Sequence, residues 1–146
     1  MKAVVQRVSR AKVTIGNRTV GEIGRGLLVL LAIKETDNPD TIKWMCNKLA
    51  NLRIFEDEEE KMNLSVQEIN GSIMLISNFT LYSNVQKGFR PSFIEAAAAK
   101  VSEPVYNKMV EYFRANYPIK IATGEFGAMM DIELVNDGPV TIIVEK

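Results

Sequence analysis

The chain of 146 residues contains no histidine. That absence excludes the Ser-His-Asp and Cys-His classes of nucleophilic catalysis, removes the commonest general base and leaves most zinc sites without their usual ligand. Chemistry here has to run on backbone groups, hydroxyls, carboxylates, Lys, Arg or groups of the substrate itself. One cysteine, Cys46, excludes an internal disulfide and suits a reducing compartment. It falls on the apolar side of a helical pattern, where free thiols are usually buried. Long apolar runs are missing too: nothing approaches the ~20 residues of a membrane helix. The opening "MKAVVQRVSR" mixes charge with apolar residues and does not read as a leader. The expectation is a cytoplasmic protein with no membrane partner. Excess charge is also absent, with 18 basic against 18 acidic residues, so any nucleic acid would have to be held locally.

What is present is an ordinary globular composition, 47% apolar and 25% charged, enough for one domain over residues 1–146 with a sizeable core. "KAVVQRVSRAKVTI" and "RTVGEIG" alternate as two strands around a turn at Gly16-Asn17. "GRGLLVLLAI" is a continuous apolar run of strand length, read as buried on both faces. Asn38, Pro39 and Asp40 are a cap, a first helical residue and a first-turn acid. Ile42, Met45, Cys46, Leu49 and Leu52 then keep helical spacing, which predicts a helix over 39–52. "FEDEEEKMN" reads as a solvated face, because consecutive acids do not converge on a metal. "GSIMLIS" is a further strand, followed by the aperiodic "NFTLYSNVQKGFRPSF". Ser92 and Glu95 have capping-box spacing and predict a helix at "FIEAAAAKV". Ser102 starts another, with a stripe of Val105, Met109, Tyr112 and Phe113 that Pro118 ends. The tail reads as strands, the last pair joined around Asn136 to Pro139. The fold class expected is α+β: largely antiparallel, barrel-like sheet layers with helices packed on one side.

Two segments do more than a fold requires. "SNFTL", Ser77 to Leu81, sets hydroxyls and an amide where a strand gives way to a loop, suited to lining a pocket or holding an oxyanion on backbone N–H groups. Local hydrogen bonding at a strand end is the plainer reading. Thr80 is a tempting nucleophile, but a threonine hydroxyl needs a base and none stands beside it in sequence. A hydrogen-bonding role fits better. In "NDGPV", Gly138 lacks a Cβ and Pro139 an N–H, so this step can bring carbonyl oxygens close to a ligand. By itself it reads as a trans turn.

"MKAVVQRVSRAKVTI", "SNFTL", "KGFRPSF", "GEFGAMM" and "NDGPVTIIVE", in this order, resemble the bacterial-type D-aminoacyl-tRNA deacylases (D-Tyr-tRNA deacylases) over essentially the whole chain. The resemblance implies a homodimer that hydrolyses the ester between a D-amino acid and the terminal adenosine of tRNA. It also implies action on glycine mischarged onto alanine tRNA, sparing of L-aminoacyl-tRNA, and no metal or organic cofactor. By that likeness Ser77, Asn78, Phe79 and Thr80 line the pocket of one subunit. Gly138 and Pro139, held cis, enter the pocket of the other and exclude L side chains with their carbonyls; Arg7 orients them. Hydrolysis is then assisted either by the Thr80 hydroxyl or by the substrate's ribose 2′-hydroxyl, and a chain without histidine suits the second.

Two positions depart from the family pattern. Asn78 stands where glutamine is usual and is one methylene shorter, which puts a direct substrate contact by its side chain in question. Phe89 stands where a polar residue is expected, and sequence alone assigns it no role. Lys87 and Arg90 are candidates for phosphates near the acceptor end, or simply solvated charges. Phe126 and Met129 are candidates for packing on adenine, or core residues. The rival functions are a non-catalytic nucleic-acid module on the same fold, and a deacylase with a trans Gly-Pro that admits small L-residues. DNA is not an expected partner.

Overall fold

The computed structural model describes residues 1–146. Its frame is a 14-residue strand, β1 (Lys2–Ile15), with partners along both edges. On one edge, β1 pairs antiparallel first with β3 (Gly26–Ala32) and then, further along, with β2 (Arg18–Ile23). On the other edge it pairs antiparallel with β8 (Asp131–Glu145). β3 continues the sheet into β6 (Ser72–Ser77) and that into β7 (Lys120–Thr123), both in parallel. The sheet is thus mixed and curls toward a barrel, with antiparallel pairing around β1 and parallel pairing beyond β3. A small hairpin of β4 (Phe55–Glu56) and β5 (Met62–Leu64) stands apart. The turn at Gly16-Asn17 forms as expected, with Gly16 at φ +58°.

Two apolar clusters follow from the alternation of side chains. Ala3, Val5, Leu27, Val29, Leu31, Ile73 and Leu75 face the helices and build the larger core. Val8, Ala11, Val13, Leu28, Met74 and Ile76 point to the opposite face and fill the curled sheet. β3 is buried on both faces because both clusters claim it.

Helix α1 (Pro39–Asn51) starts where its signals stand: the Asn38 side chain accepts from Asp40 N–H and Thr41 N–H at 3.0 and 3.1 Å. It buries Ile42, Met45, Cys46 and Leu49. Burial pushes the Cys46 thiol up to about 12, so it stays protonated and inert at neutral pH. Helix α2 (Ala99–Asn116) corrects two expectations at once. No helix begins at Ser92, whose N–H and carbonyl instead pair with Asn84 at 2.9 and 2.8 Å. Nor does Ser102 start a new one. It lies inside α2 with Oγ donating to the Ala98 carbonyl, and the helix runs on through Pro104. Tyr106 on α2 donates from its hydroxyl to the Leu75 carbonyl at 2.7 Å, seating the helix on β6.

The expected hairpin around Asn136 to Pro139 does not form. The segment is one long strand, both halves pairing with β1, because a template of 14 residues can hold both in line. Val8 pairs with Asn136 and Gln6 with Thr141, so four residues, 137–140, stand opposite Arg7 alone. They leave the ladder as an excursion.

Candidate functional site

Ser77 ends β6, and Asn78 donates its N–H to the Leu31 carbonyl at 2.7 Å, the last rung beside β3. The chain then tightens into a 3-10 turn, Phe79–Tyr82, whose first N–H groups have no acceptor within the turn. Above it opens a cavity of about 640 Å³. Ser77, Asn78 and Phe79 form one wall, and Phe126 to Met130 face them. Phe126 is half-buried against Tyr106, and Met129 is 92% exposed at the mouth.

The remaining wall comes from Phe93 and Ala96 to Ala99, which sequence reasoning assigned to a helix and to no site. Four consecutive alanines in a chain rich in large apolar residues were the available signal: small side chains leave room. The Phe93 ring meets the Phe79 edge at 5.2 Å, the planes 78° apart. Not one of the residues lining the cavity ionises in the ordinary pH range.

Thr80 lies beside this cavity, exposed, rather than in its lining. Its hydroxyl donates to Asn78 Oδ1 at 2.5 Å. The shorter amide at this position therefore turns back onto its own motif, and the Thr80 proton is directed at an amide oxygen. Lys87 and Arg90 sit on a wholly exposed loop that leaves from the 3-10 turn and returns at Ser92. Neither enters an ion pair.

Arg7, Gly138 and Pro139 form a separate assembly. Arg7 is only 4% exposed. Its Nη1 donates to the Ile54 carbonyl at 2.8 Å and its Nε to the Asp137 carbonyl at 3.2 Å. Carboxylates of Asp137 and Glu56 stand 3.1 and 3.6 Å from the guanidinium. On the other side of the excursion, Asn136 Nδ2 donates to the carbonyls of Arg7 and Val140 at 3.0 and 2.9 Å. Asn136 thus closes the neck of the loop and Arg7 fixes its shoulder. Sequence reasoning read Asn136 as a turn residue and Glu56 as part of a solvated face, since neither contact is visible without the fold. Gly138 has φ +118° and the Gly138–Pro139 peptide is cis, unlike the trans form most X-Pro steps adopt. A Cβ on Gly138 would stand 2.9 Å from Arg7 Nη2. Both residues face solvent.

The two assemblies stand at different levels of the sheet. Arg7 is level with Leu27 and Ile73, whereas Ser77 is level with Leu31, Ala3 and Val144. Neither Gly138 nor Pro139 lines the cavity.

The cavity has no ionising group in its lining and adjoins the hydroxyl-amide motif, while the Gly-Pro excursion forms a second, separate feature. The comparisons name the class. A family model described as D-Tyr-tRNA(Tyr) deacylase matches residues 4–145. The D-aminoacyl-tRNA deacylase of Fusobacterium nucleatum is 52% identical over 99% of this chain and 95% of its own length. That of Thermosipho africanus is 49% identical over 100% of this chain and 97% of its own. Among solved structures, one titled c-Myc DNA Unwinding Element Binding Protein superposes with a TM-score of 0.95 at 44% identity, covering 100% and 99% of the two chains. A probable eukaryotic D-amino acid tRNA deacylase shares the fold, with a TM-score of 0.80 at 19% identity over 98% and 97%. This chain belongs to the D-Tyr-tRNA deacylase family.

Proposed function

We propose that this enzyme, which hydrolyses D-aminoacyl-tRNA, works as a homodimer in which each cavity is screened by the Gly138–Pro139 excursion of the partner subunit. The terminal adenosine enters between Phe126 and Met129, and the aminoacyl ester reaches the Ser77–Thr80 motif. N–H groups of Phe79 and Thr80 polarise the ester carbonyl, where fixed donors are most effective because they need no reorganisation. Water adds to the carbonyl carbon, the ester C–O bond breaks, and the ribose oxygen leaves with a proton relayed by the adjacent 2′-hydroxyl. The observation that carries this reading is the cavity lining, which offers no side chain able to act as base. The Thr80 hydroxyl donates to the amide oxygen of Asn78, which is too weak a base to take its proton. Glycine passes the screen because it has no side chain on either side, which includes glycine mischarged onto alanine tRNA.

The cross-subunit arrangement rests on the separation of the two assemblies and on the exposure of Gly138 and Pro139. A rigid backbone wall suits discrimination at a chiral carbon, where exclusion of one substituent is the whole task. A neutral chain limits the tRNA contact to the acceptor end, near Lys87 and Arg90. It gives no broad basic face for duplex DNA. The chain works in the cytoplasm, where aminoacyl-tRNA is found.

The deciding assay follows ester loss from D-Tyr-tRNA and L-Tyr-tRNA at equal concentration. Rapid cleavage of the D-ester alone is expected; equal rates would sink the chirality reading. A tRNA ending in 2′-deoxyadenosine tests substrate assistance, and undiminished hydrolysis would exclude it.

A further inference from the structure

The loop from Ser83 to Pro91 is exposed at every residue, yet it is not loosely built. Its neck is closed by the paired backbones of Asn84 and Ser92, and the Gln86 N–H donates to Asn84 Oδ1 at 3.0 Å. Gly88, at φ +66°, turns the chain at the tip. Beside it Phe89 projects with 108% relative exposure, touching nothing that would bury it. Both ends of the loop are rooted in the cavity: the 3-10 turn with Phe79 on entry, Phe93 on exit. Phe93 lies four positions after Phe89, no more than about 14 Å of chain.

The charge around this ring has one sign. From Ile69 to Ile94 the chain contains no Asp or Glu, and its only charges are Lys87 and Arg90, which flank Phe89. Neither is neutralised by a carboxylate. An aromatic face held out between two free cations, at the rim of a cavity that takes a nucleoside, matches single-stranded nucleic acid: the ring stacks on a base while the cations take the backbone.

We propose that Phe89 is a base-stacking residue for the unpaired nucleotide that precedes the terminal adenosine, with Lys87 and Arg90 on the adjoining phosphates. This rests on the deacylase reading above and extends the contact by one nucleotide beyond the cavity. Stacking is indifferent to base identity, because every base has a π-face. That suits an enzyme that must serve many tRNAs through the end they share.

The test compares two D-aminoacyl esters, one on intact tRNA and one on free adenosine, with wild type, Phe89→Ala, Phe89→Leu and Phe89→Tyr. For the tRNA ester, Ala and Leu raise KM about tenfold with kcat unchanged, the scale of one lost base–aromatic stack. Tyr stays near wild type, and the adenosine ester is cleaved equally by all four. A tRNA carrying 2-aminopurine before the terminal adenosine reports stacking without catalysis: its fluorescence is quenched by wild type and Tyr, but not by Ala or Leu. Equal losses on both esters, no loss on either, or a changed sedimentation coefficient in Phe89→Ala would overturn the assignment. If wild type cleaves neither ester while still quenching the probe, the deacylase reading fails and the stacking contact stands.

Discussion

The two assemblies of the proposed site meet the fold in opposite ways. The Ser77–Phe79 wall, with Thr80 beside it, grows out of β6, a strand in the middle of the sheet, and is positioned by ladder hydrogen bonds and by apolar packing on both faces. The 137–140 excursion bulges from the β1–β8 ladder, and side chains brace it: Arg7 on one side, Asn136 on the other. Substitutions in the first region therefore act through the core or through the chemistry. Substitutions in the second act through aim, and leave the cavity intact. In the proposed homodimer, the catalytic wall needs only to be rigid, whereas the stereochemical screen has to be rigid and presented to the partner subunit.

Four substitutions break or sharpen that contrast. The largest effect belongs to Arg7→Ala, which strips the Ile54 and Asp137 carbonyls of their donor and leaves two carboxylates unopposed. It costs about 3 kcal/mol in a denaturant titration and abolishes discrimination between D- and L-esters. Asn136→Ala comes next, leaving the carbonyls of Arg7 and Val140 without a partner, worth about 1–3 kcal/mol. Its mark is specific: L-ester cleavage rises at least tenfold while D-ester cleavage holds. A parallel fall in both rates would show that Asn136 supports the cavity instead. Thr80→Ala, on the other wall, keeps D-ester cleavage within about tenfold, because only an exposed neutral hydrogen bond is lost. Complete loss with an intact fold would restore the hydroxyl as nucleophile. The smallest change is Glu56→Gln: this carboxylate is half exposed and 3.6 Å from Arg7, so stability moves by less than about 1 kcal/mol and selectivity is unchanged.

How much of this could be read from sequence follows the same division. Strand β3 and helix α1 were legible because their signals are local: a glycine-flanked apolar run, and Asn38-Pro39-Asp40 ahead of a helical stripe. The mixed character of the sheet was not, since parallel pairing of β3 with β6 depends on a connection whose route no short pattern encodes. The Ser92–Glu95 spacing predicted a helix that the fold overrides, because Ser92 is paired with Asn84 and the Ala97 N–H donates to the Ile33 carbonyl. The same override makes Phe93 to Ala99 a cavity wall, which no capping rule anticipates. At the Gly-Pro step, composition supported an ordinary turn; the excursion exists only because β1 is long enough to pair with β8 on either side of Arg7. Short motifs located both halves of the candidate site, but only strand register revealed that they stand at different levels of the sheet.

If the screen acts across a homodimer as proposed, stereochemical fidelity becomes a matter of mass action. In the proposed homodimer a chain on its own keeps its cavity and lacks its partner's screen, so dilution below the dimer's dissociation constant is expected to make a selective hydrolase indiscriminate. The converse holds for mixtures. A chain with a ruined cavity, paired with one whose excursion is ruined, rebuilds one intact site from the sound half of each, and two failed proteins recover chirality together.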